Sequence, residues 1–325
     1  MNILICGLGS IGKRHLRILQ NLGEFKITAF RSGKSQVNPD EFNIQNEITS
    51  LDNLSEYKFD AALITNPTSD HIPTALKISK FDIPMFIEKP LGKNLEGSDE
   101  LQKIVGEKNI PVLMGYNFIF HPGIVTIKNI IKEGKIGTAA SARSQFGTYM
   151  PGWHPEEDYK KSYAAKKEMG GGVILTSIHE QNYLTSFFGE VTDVKAMEVG
   201  GDLLDIDSDE GVEILMKHKS GVVSNIHLNF FQKPYYRNCQ IIGTEGTIYW
   251  DFMKPEVKIL KNKEVEITEL GDSYLKLLDI SYEDQMKHFI EVAKRNVESA
   301  IPLERGIEDM RTALKILKEI GRNYN

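Results

Sequence analysis

The segment Cys6-Gly7-Leu8-Gly9-Ser10-Ile11-Gly12 directly follows the apolar stretch Met1-Asn2-Ile3-Leu4-Ile5. The apolar stretch predicts a buried strand, and the apolar residues after Gly12 recur at helical spacing. In a G-x-G-x-x-G turn between a strand and a helix, Gly7 permits the tight turn, Gly9 lets a pyrophosphate approach, and Gly12 lets the helix pack closely. The helix N-terminus favours an anion. We therefore predict dinucleotide-binding residues at Gly7, Gly9, Ser10, Ile11 and Gly12.

The end of the second strand distinguishes between dinucleotides. Residues 25–30 predict this strand, and Arg31-Ser32-Gly33-Lys34 follows it. An acidic residue at this place would bind the ribose 2′-hydroxyl of NAD. Arginine, hydroxyl and ammonium groups instead suit a 2′-phosphate. Arg31, Ser32 and Lys34 therefore predict NADP(H), with NAD still possible; the other interpretation is a solvated basic turn.

Composition limits the function classes. The chain has 325 residues, a net charge of −6 with 39 basic and 45 acidic residues, and two cysteines, Cys6 and Cys239. This length favours two domains. The mixed charges argue against a nucleic-acid partner. The absence of a long apolar run, of a signal peptide and of paired cysteines predicts a cytoplasmic protein with no membrane span.

Strands and helices alternate to about residue 120 and predict an α/β domain with a doubly wound parallel sheet of the Rossmann type, residues 1–120. Beyond Gly137, longer alternating strands predict an α+β domain with an open, mostly antiparallel sheet, residues 121–325. We place these strands at 139–146, 191–199, 210–217, 221–230, 237–243 and 246–252. Helices are predicted at 282–296 and 303–321, and the last helix can pack back on the first domain.

Several polar residues follow predicted strand ends, where ligands bind in open α/β sheets. Thr65, Asn66, Pro67 and His71 are predicted to lie near the cofactor. Tyr116 and Asn117 follow another strand end and are predicted to contact substrate.

The segment 153–163 is rich in aromatic and polar residues, which suit a sugar. We predict substrate contacts for Trp153, Tyr159 and Tyr163, although a dimer-contact loop is nearly as good an interpretation. Arg237 is predicted to bind a substrate anion, with an ordinary ion pair as the alternative. The spacing of His218, His227 and His288 predicts no metal site.

Four motifs together resemble the Gfo/Idh/MocA oxidoreductase family: the glycine turn at 7–12, Thr65-Asn66-Pro67-Thr68, Glu88-Lys89-Pro90, and Gly170-Gly171-Gly172 followed by His179. The resemblance implies hydride transfer between a nicotinamide and a sugar or cyclitol carbon. It implies that His179 is the acid/base, that Lys89 binds the reacting oxygen, and that Glu88 and Lys89 lie at the cofactor. A histidine suits the proton transfer because its pKa lies near neutrality.

The resemblance also implies a homodimer or homotetramer. Residues 153–159, 162–165 and His179-Glu180 are similar to those of members from bacterial surface-polysaccharide sugar gene clusters. A sugar or sugar nucleotide is therefore the expected substrate.

Three positions depart from the family pattern. Thr176 and Asn182 stand where relatives commonly carry carboxylates, and Ile119 stands where many carry arginine. We expect Thr176 and Asn182 to contact the substrate. The departures leave two alternatives to a dehydrogenase: a redox-neutral lyase or epimerase that oxidises its sugar transiently, and a non-catalytic NADP-binding sensor.

Overall fold

The computed structural model describes residues 1–31, 42–153, 155–156 and 158–324. The chain forms two compact units, and each is built from two stretches of sequence. Unit 1 comprises Met1–Tyr116 and Tyr282–Met310, and unit 2 comprises Asn117–Ser281 and residues 311–324. Residues 282–310 thus belong with the N-terminal unit.

Unit 1 contains a six-stranded sheet in which all described neighbours are parallel, in the order β3-β2-β1-β4-β5-β6. This order confirms the predicted doubly wound sheet. From the central pair of β1 and β4, successive strands of the chain are added outward in opposite directions. The elements are β1 (Asn2–Cys6), α1 (Ser10–Leu22), β2 (Lys26–Phe30), β3 (Ile44–Ile48), β4 (Ala61–Ile64), α2 (His71–Ser79), β5 (Met85–Glu88), α3 (Ser98–Lys108) and β6 (Val112–Gly115).

The apolar sequence explains the central strands of unit 1. Residues 3–6 of β1 and 61–64 of β4 are at most 1% exposed, as expected for strands covered on both faces. Ligand-binding side chains can therefore reach solvent only from the strand ends and the turns that follow.

Unit 2 contains an eight-stranded sheet in the order β14-β13-β12-β11-β7-β10-β9-β8. Its described neighbours are antiparallel except β7 and β10, which are parallel, so the prediction of a mostly antiparallel sheet is confirmed. The strands are β7 (Ala139–Tyr149), β8 (Val191–Glu198), β9 (Gly211–His218), β10 (Val223–Asn229), β11 (Phe231–Gly243), β12 (Thr247–Asp251), β13 (Glu256–Lys261) and β14 (Glu264–Glu269).

Four further helices are α4 (Pro122–Lys132), α5 (Val173–Thr176), α6 (His179–Phe188) and α7 (Tyr274–Ala293), and the chain ends in α8 (Leu303–Glu319). The division between the units falls within α7 and α8. The sequence predicted α7 only from residue 282, whereas it begins at Tyr274. None of the helices in the described part of the chain is long and apolar enough to cross a membrane.

The glycine turn supplies a matched pair of stability variants. A Cβ at Gly12 would lie 2.1 Å from the Gly7 carbonyl oxygen, whereas a Cβ at Gly9 would meet nothing within 4 Å. The φ of Gly9, −72°, also suits alanine. We expect Gly12→Ala to destabilise the ligand-free protein by about 1–3 kcal/mol through overpacking. Gly9→Ala should change stability by less than about 1 kcal/mol, because the lost preference for glycine at the N-cap is offset by the smaller conformational entropy of the unfolded variant.

Chemical denaturation of the ligand-free variants measures this difference. Equal stability of the two variants would contradict the proposed packing of the turn.

Candidate active site

The glycine turn of unit 1 packs against the end of β4. The Thr65 hydroxyl donates to the Gly7 carbonyl oxygen at 2.7 Å, and a Cβ at Gly7 would lie 2.4 Å from the Asn66 nitrogen. The sheet order reverses here, so the carboxyl ends of β1 and β4 lie side by side where such sheets bind ligands. Thr65 and Asn66, predicted from sequence, are thus brought together with Gly7.

His71 connects this strand end to the Lys89-Pro90 turn. Its Nδ1 lies 2.8 Å from the Pro90 carbonyl oxygen and its Nε2 lies 2.9 Å from the Asn66 carbonyl oxygen. Burial lowers the pKa of His71, although the two carbonyls favour the protonated ring. Both ring nitrogens therefore face backbone, and the geometry suits a residue that supports the turn. Pro67, in contrast, is exposed.

Lys89 follows the last residue of β5 and is half-buried. The two carboxylate oxygens of Glu88 have different partners: Oε2 accepts from the Lys89 backbone N–H at 3.1 Å, and Oε1 lies 2.7 Å from Nε2 of His15 in α1. Glu88 and His15 are 5% and 0% exposed. Glu88 thus links the backbone of Lys89 to the helix that follows the glycine turn. The sequence patterns did not indicate a role for His15, because its partner Glu88 lies 73 residues away.

Arg31 lies at the end of β2, where a ribose-binding residue was expected. Its Nη1 is 2.7 Å from Oε1 of Glu47, and its backbone N–H donates to the Ile48 carbonyl. Ser32 and Lys34 lie outside the described residues. The structure therefore describes one of the three residues on which the NADP(H) prediction depends.

Tyr116, predicted to contact substrate, is fully buried at the end of unit 1. Burial raises the pKa of its phenol well above the usual value, and the nearby Asp309 carboxylate adds to the effect. Asn117 begins unit 2, where its amide donates to the Ser281 hydroxyl at 2.9 Å.

In unit 2 the triple glycine forms a crowded turn before α5. A Cβ at Gly171 would lie 2.4 Å from the Tyr163 carbonyl oxygen, and a Cβ at Gly172 would lie close against Asp209. The buried Asp209 carboxylate accepts from the Ile174 N–H at 2.8 Å and from the Tyr324 hydroxyl at 2.7 Å. Asp209 thus holds the turn that leads to Thr176 and His179.

His179 is the first residue of α6 and is 6% exposed. Its ring centroid lies 4.8 Å from that of Phe118. Thr176, at the end of α5, is half-buried, and Asn182, in α6, is 1% exposed. The structure thus places all three residues in two consecutive short helices.

Arg237 is buried and paired. Its Nε lies 2.8 Å from Oε1 of Glu180, the residue after His179, and the pair is almost fully buried. Of the two interpretations of Arg237, the geometry matches an ion pair, although a buried one. Sequence analysis quoted Glu180 without giving it a role.

The aromatic segment after β7 packs on its own unit. The Trp153 indole N–H donates to the Thr148 hydroxyl at 2.9 Å, and the Tyr159 hydroxyl donates to the Leu204 carbonyl at the same distance. Tyr163 is 43% exposed. Of the three, Tyr163 thus presents the most of its surface to solvent. Elsewhere, the described residues contain no group of three or more metal-ligating side chains.

The glycine turn meets the requirements of a dinucleotide site. A Cβ on Gly9 would enter open space, so a glycine here leaves room for a pyrophosphate. The N-terminus of α1 has no side-chain cap and no acidic residue in its first turn, which suits a phosphate. Gly9, Ser10 and Ile11 would hold the phosphates, since the first two are exposed and Ile11 is half-buried.

Comparisons with known proteins agree with this geometry. Solved structures with a similar fold include an oxidoreductase from Agrobacterium radiobacter in complex with NAD+, L-tartaric acid and magnesium, with a TM-score of 0.86, 16% identity, and coverage of 99% of this chain and 96% of that one. The myo-inositol 2-dehydrogenase of Thermotoga maritima is 23% identical over 329 residues, 97% of this chain and 93% of that protein. The 2,7-anhydro-N-acetylneuraminate hydratase of Escherichia coli is 27% identical over 205 residues, 62% of this chain and 53% of that protein.

Two family models match successive parts of the chain. The NAD-binding Rossmann model of the oxidoreductase family matches residues 1–116, and the GFO/IDH/MocA C-terminal domain matches residues 124–249. Unit 1 therefore carries a NAD-binding domain at its N-terminal part, and the chain belongs to the Gfo/Idh/MocA family of oxidoreductases.

Proposed function

We propose that this protein transfers a hydride between NADP(H) and a hydroxyl or keto carbon of a sugar, cyclitol or sugar nucleotide. The observation that carries the proposal is the linked geometry of unit 1. The glycine turn, the end of β4 and the Lys89-Pro90 turn are joined through Thr65 and His71. The myo-inositol relative supports a polyol or sugar as the substrate class.

The proposed roles follow from the chemistry of the side chains. A dinucleotide held by the glycine turn would supply hydride chemistry through its nicotinamide. His179 takes the hydroxyl proton during oxidation and returns it during reduction. The Lys89 ammonium donates to the reacting oxygen and stabilises the charge that develops there. Glu88 keeps the Lys89 backbone in place through its contact with the N–H.

Lys89→Ala and His179→Ala should each lower kcat at least about a hundredfold because they remove electrostatic or acid/base assistance. Cofactor affinity should change little, as measured by fluorescence titration. Lys103→Ala, at an exposed site in α3, is the matched control. Full turnover in either site variant would remove that residue from the proposed mechanism.

The choice of NADP(H) depends on Arg31. Arg31→Ala should weaken NADPH binding at least about tenfold through loss of a charge-assisted contact to the 2′-phosphate, while NADH binding stays unchanged. Gly9→Ala is the control, since it should weaken both cofactors. Equal weakening of both cofactors by Arg31→Ala, or no change in NADPH binding, would contradict the 2′-phosphate assignment and favour NAD.

A redox-neutral reaction is the second candidate, and the hydratase relative favours it. Incubation with NADP(H) and a panel of polyols, sugars, sugar acids and sugar nucleotides distinguishes the candidates when NADPH absorbance and product mass are followed together. A stoichiometric change in NADPH supports the dehydrogenase. Product without that change supports a lyase, epimerase or hydratase, and cofactor binding without product supports a sensor.

The cellular setting is a further part of the proposal. The resemblance supports a role in surface-polysaccharide sugar synthesis. The two buried free thiols, Cys6 and Cys239, are compatible with a reducing cytoplasm.

The ion pair between Arg237 and Glu180 gives no added support for an anionic substrate, so the panel includes neutral polyols.

We further propose a homodimer or homotetramer that assembles through one face of the unit 2 sheet. Paired residues of neighbouring strands share a face. The register places exposed Leu215, Tyr249 and Ile267 on the same face, 50%, 41% and 47% exposed. The opposite face carries buried Ile214, Ile241 and related residues. Exposed apolar side chains on an uncovered sheet suit an isologous contact.

Light scattering at micromolar concentration should show an oligomer for the wild type and a monomer for the double variant Leu215→Glu and Tyr249→Glu. Val297→Glu, at a 45% exposed apolar residue of unit 1, is the control and should leave the oligomer intact. A monomeric wild type would overturn the proposal.

A further inference from the structure

Arg237 lies in an aromatic enclosure within unit 2. Its guanidinium carbon is 4.3 Å from the ring centroid of Phe118, 4.4 Å from that of Phe146 and 5.9 Å from that of Phe252. The residue is 7% exposed. Arginine is seldom buried without a partner because removing its charge from water is costly.

Glu180 supplies that partner from the first turn of α6. Its side chain is fully buried, and its two oxygens lie 2.8 Å from Nε and 3.5 Å from Nη2 of Arg237. Burial disfavours the Arg237 cation, but the Glu180 carboxylate outweighs this effect, and the pKa of Arg237 is raised. The two charges therefore occupy the enclosure together.

The pair is joined to His179 in two ways. Glu180 is the next residue in the chain, so its anchoring fixes the start of α6. Phe118, which lies against the Arg237 guanidinium, also contacts the His179 ring at a centroid distance of 4.8 Å. A shift of Arg237 would therefore disturb both the backbone and the ring contact of His179.

Several other titratable groups described in unit 2 around α6 are neutral near pH 7 or lie away from the ion pair. His218 of β9 packs against Phe188, the last residue of α6. Burial and then Arg237 lower the pKa of His121 to about 3, and burial raises the pKa values of Tyr183, Tyr235 and Cys239. Lys128 and Lys132 of α4 are exposed, and Arg143 of β7 and His227 of β10 lie on the opposite face of the sheet. Among the described residues of unit 2, Glu180 and Arg237 are thus the oppositely charged side chains that are buried together in this enclosure.

We propose that the Glu180–Arg237 ion pair is a positioning device for His179, which anchors the first turn of α6 and keeps the charge beside the imidazole balanced. The inference rests on the proposed acid/base role of His179. Because Arg237 cannot lose its proton, removal of the Glu180 charge leaves a buried cation near His179. That cation disfavours a second positive charge on the imidazole.

The test is an NMR titration of the His179 ring in the full-length protein, with His179→Gln used to assign the signal. Glu180→Gln should lower the titration midpoint of His179 by about one pH unit, the scale of an uncompensated charge in a partly buried site. Glu180→Asp keeps the charge and should keep the midpoint. The double variant Glu180→Gln and Arg237→Met removes both charges and should restore it.

Glu210→Gln is the matched control. Glu210 is another buried carboxylate of unit 2, and it accepts from the backbone N–H groups of Leu203 and Leu204. The Glu210→Gln variant should leave the titration midpoint of His179 unchanged. An unchanged midpoint in folded Glu180→Gln would overturn the charge-balancing part of the inference.

A second measurement tests the positioning part and remains available if Glu180→Gln does not fold. In Glu180→Asp and in the double variant, kcat should fall about tenfold or more from misplacement of His179, with cofactor KM unchanged. Full kcat in the folded double variant would overturn positioning. These outcomes differ from failure of the proposed function, which would appear as full activity in His179→Ala while the titration results stand.

Discussion

The Gly7 backbone lies so close to Asn66 that a single Cβ would come within 2.4 Å of the Asn66 nitrogen. The Thr65 hydroxyl closes the same contact by donating to the Gly7 carbonyl. Because this contact joins the ends of β1 and β4 where the strand order reverses, it sets the position of α1 and of the N-terminus that we propose to bind phosphate. The Asn66 carbonyl is in turn linked through His71 to Pro90, so the placement of the Lys89 turn depends on the same strand end.

Unit 2 depends on a different constraint, the need to satisfy buried polar groups. Gly172 approaches Asp209 too closely for a side chain, and the Asp209 carboxylate accepts hydrogen bonds from Ile174 and Tyr324. Burial raises the pKa of Asp209, while these hydrogen bonds oppose the shift. Residues distant in sequence thus fix the short helix that precedes His179.

Local patterns in the sequence were enough to predict the parallel sheet of unit 1, because its central strands β1 and β4 are apolar and its turn is rich in glycine. The edge strand β3 was not predicted, since Gln45, Asn46 and Glu47 are polar and exposed. The pattern failed where tertiary contacts decide. Strands β13 and β14 were not predicted because Lys, Glu and Thr interrupt their apolar residues, and their register, in which Ile267 pairs with Lys258, depends on contacts between the strands. Helix α4 was not predicted, although Ile124, Ile127 and Ile130 are buried at helical spacing and His121 accepts from the Gly123 N–H at its start.

The same distinction applies to the candidate site. The glycine spacing predicted Gly9 as a cofactor residue, and the family resemblance implied roles for Lys89 and His179. Neither could pair Arg237 with Glu180, because 57 residues separate them and only the packing of α6 on the sheet brings them together. His15 and Glu88 are a similar case, because 73 residues separate them and only the packing of α1 against the end of β5 brings them together.

Stability alone gives a poor account of the Glu180–Arg237 pair. Phe118, Phe146 and Phe252 form an enclosure in which two apolar side chains of similar volume could pack without the desolvation cost of two charges. Replacements of that kind are often neutral or stabilising in other proteins. The ion pair lies beside His179, and Phe118 contacts both Arg237 and His179. This position explains the pair better than stability does, because a directional, charged contact fixes the orientation of α6 more specifically than apolar packing does.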